Sequence, residues 1–74
     1  MKTIGYTVAA TKQLGRLPAG IRERVIDKLH RYAETAAGDV KKLTGQPGAR
    51  LRVGDYRVIF VETNDAISVR RASA

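Results

Sequence analysis

RLRVGDYRVIF, residues 50–60, reads as a β-hairpin. Apolar and charged residues alternate on either side of Gly54-Asp55, a dipeptide suited to a two-residue turn between antiparallel strands. A turn there sets a register in which Val53 faces Tyr56, Arg52 faces Arg57, Leu51 faces Val58 and Arg50 faces Ile59. Side chains alternate across a strand with a period of two. Leu51, Val53, Tyr56, Val58 and Phe60 therefore share one face and form a core. Arg50, Arg52, Arg57, Ile59 and Val61 share the other. Two arginines lie directly across from one another, and such like-charge pairs are destabilising on a scale of about 0.2–1 kcal/mol.

The rest of the chain supplies what that core packs against. Ile4, Tyr6 and Val8 alternate with Thr3, Gly5 and Thr7, which predicts a short first strand. Thr7 can cap a helix running through Ala9, Ala10 and Leu14 to about Gly15. Pro18 suits the first turn of a second helix. Ile21, Val25, Ile26, Leu29, Tyr32, Ala33 and Ala36 then form an apolar stripe at helical spacing, with Gly38 as the expected C-cap. So short a link makes the two helices an antiparallel hairpin. Asp39 to Gly48 crosses back with turn chemistry in Gly45, Pro47 and Gly48. Strands over roughly 49–53, 56–62 and 66–71 follow, the last two joined near Thr63-Asn64-Asp65. The order β-α-α-β-β-β is an α+β fold, a helical hairpin packed on one face of an antiparallel sheet.

The chain has 74 residues, with no cysteine to staple it, and reads as one domain over 1–74. A chain of this size buries only about 60% of its unfolded surface, so a partner is a natural source of further stability. There is no signal peptide and no apolar run of the roughly 18 residues that suggests a membrane span, so a cytoplasmic protein with no membrane partner is expected. Fourteen Lys and Arg against seven Asp and Glu give a net charge of +7. Both halves are basic: residues 1–39 carry seven cations against four acids, and residues 40–74 carry seven against three. This balance favours a polyanion, either nucleic acid or an acidic protein.

The hairpin's polar face is the candidate site. A solvated sheet face carries charge as a matter of course, but there acids are usually interspersed, and here only Asp55 is near. Planar guanidinium forks bind phosphate oxygens two at a time, so clustered arginines suit an RNA backbone or an acidic peptide. Arginine stabilises charge on a phosphorane but hardly deprotonates, which makes it a poor general base. His30, the single histidine, falls beside the apolar stripe of the second helix, away from that face. No carboxylate pair, glycine-rich phosphate loop or metal-ligand cluster is present, and no metal or cofactor is expected. Lys41 and Lys42, just before the hairpin, extend the basic rim.

YTVAATKQLGRLP (Tyr6–Pro18), KKLTGQPGARLRVGDYRVIF (Lys41–Phe60) and ISVRR (Ile67–Arg71) together resemble the RelE/ParE superfamily of toxins from type II toxin–antitoxin systems. The resemblance spans nearly the whole chain and implies the element order already read. For RelE-type members it implies an endonuclease of ribosome-bound mRNA that blocks translation, neutralised by a cognate antitoxin that wraps it. Operator DNA is then met only through the antitoxin complex. The family's catalytic basic positions fall on Arg50 and Arg57, with Arg52 beside them. Arg52 and the rim lysines Lys41 and Lys42 are then expected to hold RNA, and the bare apolar pair Ile59 and Val61 on the same face, an exposed strip of the kind that marks an interface, is expected to contact the antitoxin. In the family the last strand runs into a segment with a basic residue and a tyrosine. This sequence stops at Ala72-Ser73-Ala74, so an attenuated activity is expected. The alternatives are a ParE-like inhibitor of DNA gyrase, a group that generally lacks the basic sheet constellation, and an inactive antitoxin-binding remnant.

Overall fold

The structure, a computed structural model, describes residues 2–74. A short strand β1 (Thr3–Tyr6) leads into helices α1 (Val8–Arg16) and α2 (Ala19–Thr35). Four strands follow: β2 (Val40–Lys42), β3 (Ala49–Val53), β4 (Tyr56–Glu62) and β5 (Ala66–Ser73). They form one sheet in the order β1-β5-β4-β3-β2.

The α+β architecture matches the expected one, with two differences in the sheet. Val40–Lys42 forms an additional outer strand, antiparallel to β3. The sheet is mixed, because β1 pairs in parallel with β5. That pairing follows from connectivity: β1 leaves through the helices, and the meander returns β5 to lie beside it.

The hairpin has the register that the turn dictates, with Val53 opposite Tyr56, Arg52 opposite Arg57, Leu51 opposite Val58 and Arg50 opposite Ile59. Gly54 takes a φ of 60° in the first central position of the turn, where a two-residue hairpin of type II′ favours glycine.

α1 is capped as expected, the Thr7 hydroxyl accepting the Ala10 N–H at 3.1 Å. It continues one residue past Gly15, to Arg16. α2 ends earlier than Gly38. Ala36 takes the left-handed conformation and its N–H donates to Tyr32 O, so the cap falls there and Ala36 itself is exposed.

The core lies between the helix pair and one face of the sheet. It contains Ala10, Leu14, Val25, Leu29, Leu51, Val53, Val58, Phe60, Ile67 and Val69, none more than 6% exposed. Burying a side chain of this size contributes about 1.5–3 kcal/mol. Phe60 is fully buried, with its ring 5.4 Å from that of Tyr32. Ile21 and Tyr56, both expected in the core, are half-buried: Ile21 packs at the rim and Tyr56 sits directly beside the hairpin turn.

Candidate functional site

The helices cover one face of the sheet and leave the other open. Residues directly opposite in an antiparallel ladder share a face, so the strand register determines what that open face displays. Lys41 lies opposite Arg50, Arg50 opposite Ile59, and Ile59 opposite Arg71. One row therefore crosses four strands as Lys41, Arg50, Ile59 and Arg71. The next row holds Arg52, Arg57 and Ser73. Among the described residues the salt bridge is Lys2 to Glu62, and none of these five cations takes part in it.

Arg50, Arg52 and Arg57 line a hollow of about 230 Å³ together with Gly54, Asp55 and Tyr56. The repulsion built into the Arg52–Arg57 pair has a local outlet. The Arg52 Nε–H donates to Gly54 O at 3.2 Å, which turns this side chain toward the hairpin turn. Arg57 stays exposed in the middle of the face. The hollow can hold an anion through several planar forks at once, and its one carboxylate is that of Asp55.

The sequence-derived candidates divide by geometry. Arg50, Arg52, Arg57 and Lys41 are brought together. Lys42 is not: it stands opposite Ala49, one step out of phase with Lys41, and lines a cleft on the helix side beside Phe60 and Glu62. Ile59 and Val61 do lie on the open face, but half-buried rather than bare. Ile59 sits between Arg50 and Arg71, whose aliphatic stems can shelter it. His30 is exposed on α2, away from the arginines.

Arg71 is the member that a strict alternation misses. Counting by two from Ile67 and Val69 places residue 71 in the core. In the structure a β-bulge intervenes: Phe60 pairs with Val69 but Ile59 pairs with Arg71, so Arg70 is an extra residue and the parity flips. Ala72 takes the core position opposite Val58 and is 3% exposed. Helix α1 holds the bulged segment. The Thr7 hydroxyl donates to Arg70 O at 3.0 Å and Gln13 Oε1 accepts the Ala72 N–H at 2.7 Å. These are backbone groups left without a strand partner where β1 ends. The one signal in the sequence was the pair Arg70-Arg71 between apolar residues spaced three apart.

On the opposite side, Glu62 closes a small polar network. It accepts the Tyr32 hydroxyl at 2.6 Å and the Lys2 ammonium. Lys2 and then Tyr32 hold its carboxyl below the ordinary value of 4.5. The hydrogen bond to Glu62, aided by burial, pushes the Tyr32 phenol up to about 12. Burial alone raises Tyr6.

No protein-family model matches the chain, and no curated protein matches it. Solved structures do. The chain is similar to a RelB–RelE antitoxin–toxin complex from Methanococcus jannaschii, with 26% identity and a TM-score of 0.76, covering 92% of this chain and 86% of that one. It is also similar to the intact Escherichia coli RelBE toxin–antitoxin complex, with 18% identity, a TM-score of 0.83 and coverage of 99% and 95%. The isolated Escherichia coli RelE toxin matches with 19% identity and a TM-score of 0.84, over 99% of this chain and 83% of that chain. The resemblance read from the sequence is thus borne out in three dimensions: the chain has the fold of the RelE toxin superfamily.

Proposed function

We propose that the protein is the toxin of a toxin–antitoxin pair, a single domain over residues 1–74 that acts in the cytoplasm by cleaving mRNA on the ribosome. One observation carries the proposal: five cations, Lys41, Arg50, Arg52, Arg57 and Arg71, share the open sheet face without a salt-bridge partner among the described residues. In RNA cleavage the 2′-hydroxyl attacks the adjacent phosphorus and the 5′-oxygen leaves. Negative charge accumulates on the non-bridging oxygens of the phosphorane between these events. In this reading Arg50 and Arg57 hold those oxygens, and Arg52, Arg71 and Lys41 fix neighbouring phosphates. The arginines supply charge stabilisation, and the proton of the 2′-hydroxyl passes to a group other than arginine.

The partner in this reading is a cognate antitoxin whose acidic or amphipathic segment covers Ile59 and Val61 and so shields the arginines beside them. Operator DNA is met only through that complex. No helix among the described residues is long and apolar enough to cross a membrane. Gyrase inhibition, the second reading, has no counterpart in a cationic sheet face.

The test is cleavage of mRNA by the purified protein with and without ribosomes, with DNA supercoiling followed in parallel. Arg57→Ala is expected to lower ribosome-dependent cleavage by about 10²–10³-fold, the usual effect of removing one preorganised charge. Undiminished cleavage by that variant places the chemistry elsewhere. Altered supercoiling with intact mRNA selects the gyrase reading.

A further inference from the structure

Arg70-Arg71-Ala72-Ser73, the last part of β5, carries two groups that the nuclease reading leaves unused: the Arg70 side chain and the Ser73 hydroxyl. Both residues are exposed. β1 pairs with β5 only as far as Val69. Beyond that point the same side of the strand is held by the Thr7 and Gln13 side chains, through Arg70 O and the Ala72 N–H. The segment is thus extended and open to solvent, with arginines three and two residues before a serine. Arginines at these spacings are the charge pattern by which serine kinases with an acidic substrate groove select their targets. Ser68, the other serine of the chain, is half-buried and has Asp65 and Ala66 at those positions.

The fold adds a place for the product. Ser73 stands opposite Arg57, and Arg57 opposite Arg52. The Cβ atoms of such cross-strand pairs are about 4.5–5.5 Å apart. Arg71 lies two residues back on the same face, roughly 7 Å along the strand. A group added to the Ser73 oxygen therefore has arginines on two sides, with Arg52 beyond Arg57. None of the three takes part in a salt bridge among the described residues. Asp55, at the hairpin turn, is the nearby carboxylate that opposes an anion there. A carboxylate at position 73 would pair Arg57 permanently, whereas serine leaves it free and can be made acidic.

We propose that Ser73 is a phosphorylation site for an arginine-directed serine kinase, and that its phosphate docks on Arg57 and Arg71 and closes the cationic face to RNA. The closing of the face rests on the nuclease reading above; the modification and its docking do not. In the transfer the Ser73 Oγ bonds to the γ-phosphorus of ATP and the bond from that phosphorus to the bridging oxygen breaks. ADP leaves, and the hydroxyl proton passes to the base of the kinase. The product carries a charge of about −1.5 to −2 at pH 7 and three acceptor oxygens, enough to engage two planar forks at once. Those forks are the ones that otherwise hold RNA phosphates.

The test treats the folded full-length protein with ATP and a purified arginine-directed kinase, the cyclic-AMP-dependent enzyme, and maps the phosphate by mass spectrometry. One phosphate is expected, on Ser73, and none on Ser73→Ala. Arg70→Ala, which leaves the cationic face intact, should be phosphorylated about tenfold more slowly or worse. By phosphorus NMR the phosphoserine should titrate about one pH unit below its ordinary value near 6, because the arginines favour the dianion. Arg57→Ala should move that titration back. Phosphorylation should weaken binding to a short single-stranded RNA about tenfold or more, with kinase-treated Ser73→Ala unchanged. No phosphate on the folded protein, phosphate at another residue, equal rates for Arg70→Ala, or an unshifted titration overturns the proposal. RNA binding that survives a docked phosphate overturns the closing of the face. The nuclease reading fails separately: a protein that docks the phosphate but never cleaves mRNA, modified or not, overturns that reading and leaves the Ser73 site standing.

Discussion

On one face of β3 and β4, Ala49, Leu51, Val53, Val58 and Phe60 are at most 8% exposed; on the other, Arg50, Arg52 and Arg57 stand without carboxylate partners among the described residues. The two faces share one backbone and one register, yet they answer to different demands. The inner face is filled by apolar side chains that close against the helices. The outer face includes an arginine pair that a search for stability alone would remove. The inner face therefore holds the outer one in place. Repulsion of a few tenths of a kilocalorie is tolerable because several buried side chains, each worth about 1.5–3 kcal/mol, fix the strands beneath it.

Breaking the inner face has the largest expected effect. Phe60→Ala removes a fully buried ring that packs on Tyr32, and should lower stability by about 3–5 kcal/mol in denaturant unfolding. A loss under about 1 kcal/mol would mean that the core is not centred there. Arg57→Ala, one residue from the core position Val58, is expected to shift stability by less than about 0.5 kcal/mol, as surface changes usually do. That contrast between activity and stability is the sharpest test of the division between the faces.

Arg52→Glu turns the repulsive cross-strand pair into an attractive one. Stability should rise by about 0.2–1 kcal/mol, while binding to a single-stranded RNA weakens. A gain in both would show that the outer face is not a phosphate site.

The smallest effect is in the pH profile of the Lys2–Glu62–Tyr32 network. The Tyr32 phenol is raised from 10.0 to about 12, so its contribution is complete below pH 10 and is lost as pH climbs toward 12. Glu62 has the opposite sign. Its carboxyl is held below 4.5, so its contribution is complete above that value and is lost as pH falls further. Tyr32→Phe should flatten the alkaline limb of the thermal unfolding midpoint and leave most of the acid limb. An unchanged alkaline limb would mean that Glu62 does not hold the phenol in solution.

How far the sequence reveals this molecule depends on how local each signal is. The hairpin register was legible because Gly54-Asp55 and a period of two determine it within eleven residues. The two helices were legible from the stripe of Val25, Leu29 and Ala33 and from the Thr7 cap. β2 was not, since Val40-Lys41-Lys42 is short and becomes a strand only because the chain returns along β3. For the same reason Lys41 and Lys42 looked alike as adjacent cations, and only pairing sends them to opposite sides. The parallel union of β1 with β5 is likewise a tertiary choice with no local mark. On the candidate face, Arg50, Arg52 and Arg57 followed from alternation, whereas Arg71 required the bulge.

That bulge bears on how this segment can change over generations. Because Arg70 and Arg71 are identical, deleting either codon yields the same protein. In the shortened strand, regular alternation would set the remaining arginine opposite Ile59 and the following alanine opposite Val58, the neighbours that Arg71 and Ala72 have now. The charge pattern would survive the loss. What would change is the seating of α1, since the Thr7 bond to Arg70 O and the Gln13 bond to the Ala72 N–H depend on the extra residue. A length variant at this point is thus a change in helix docking, nearly silent for the cationic face, and lineages that differ there can keep one surface chemistry on two differently braced scaffolds.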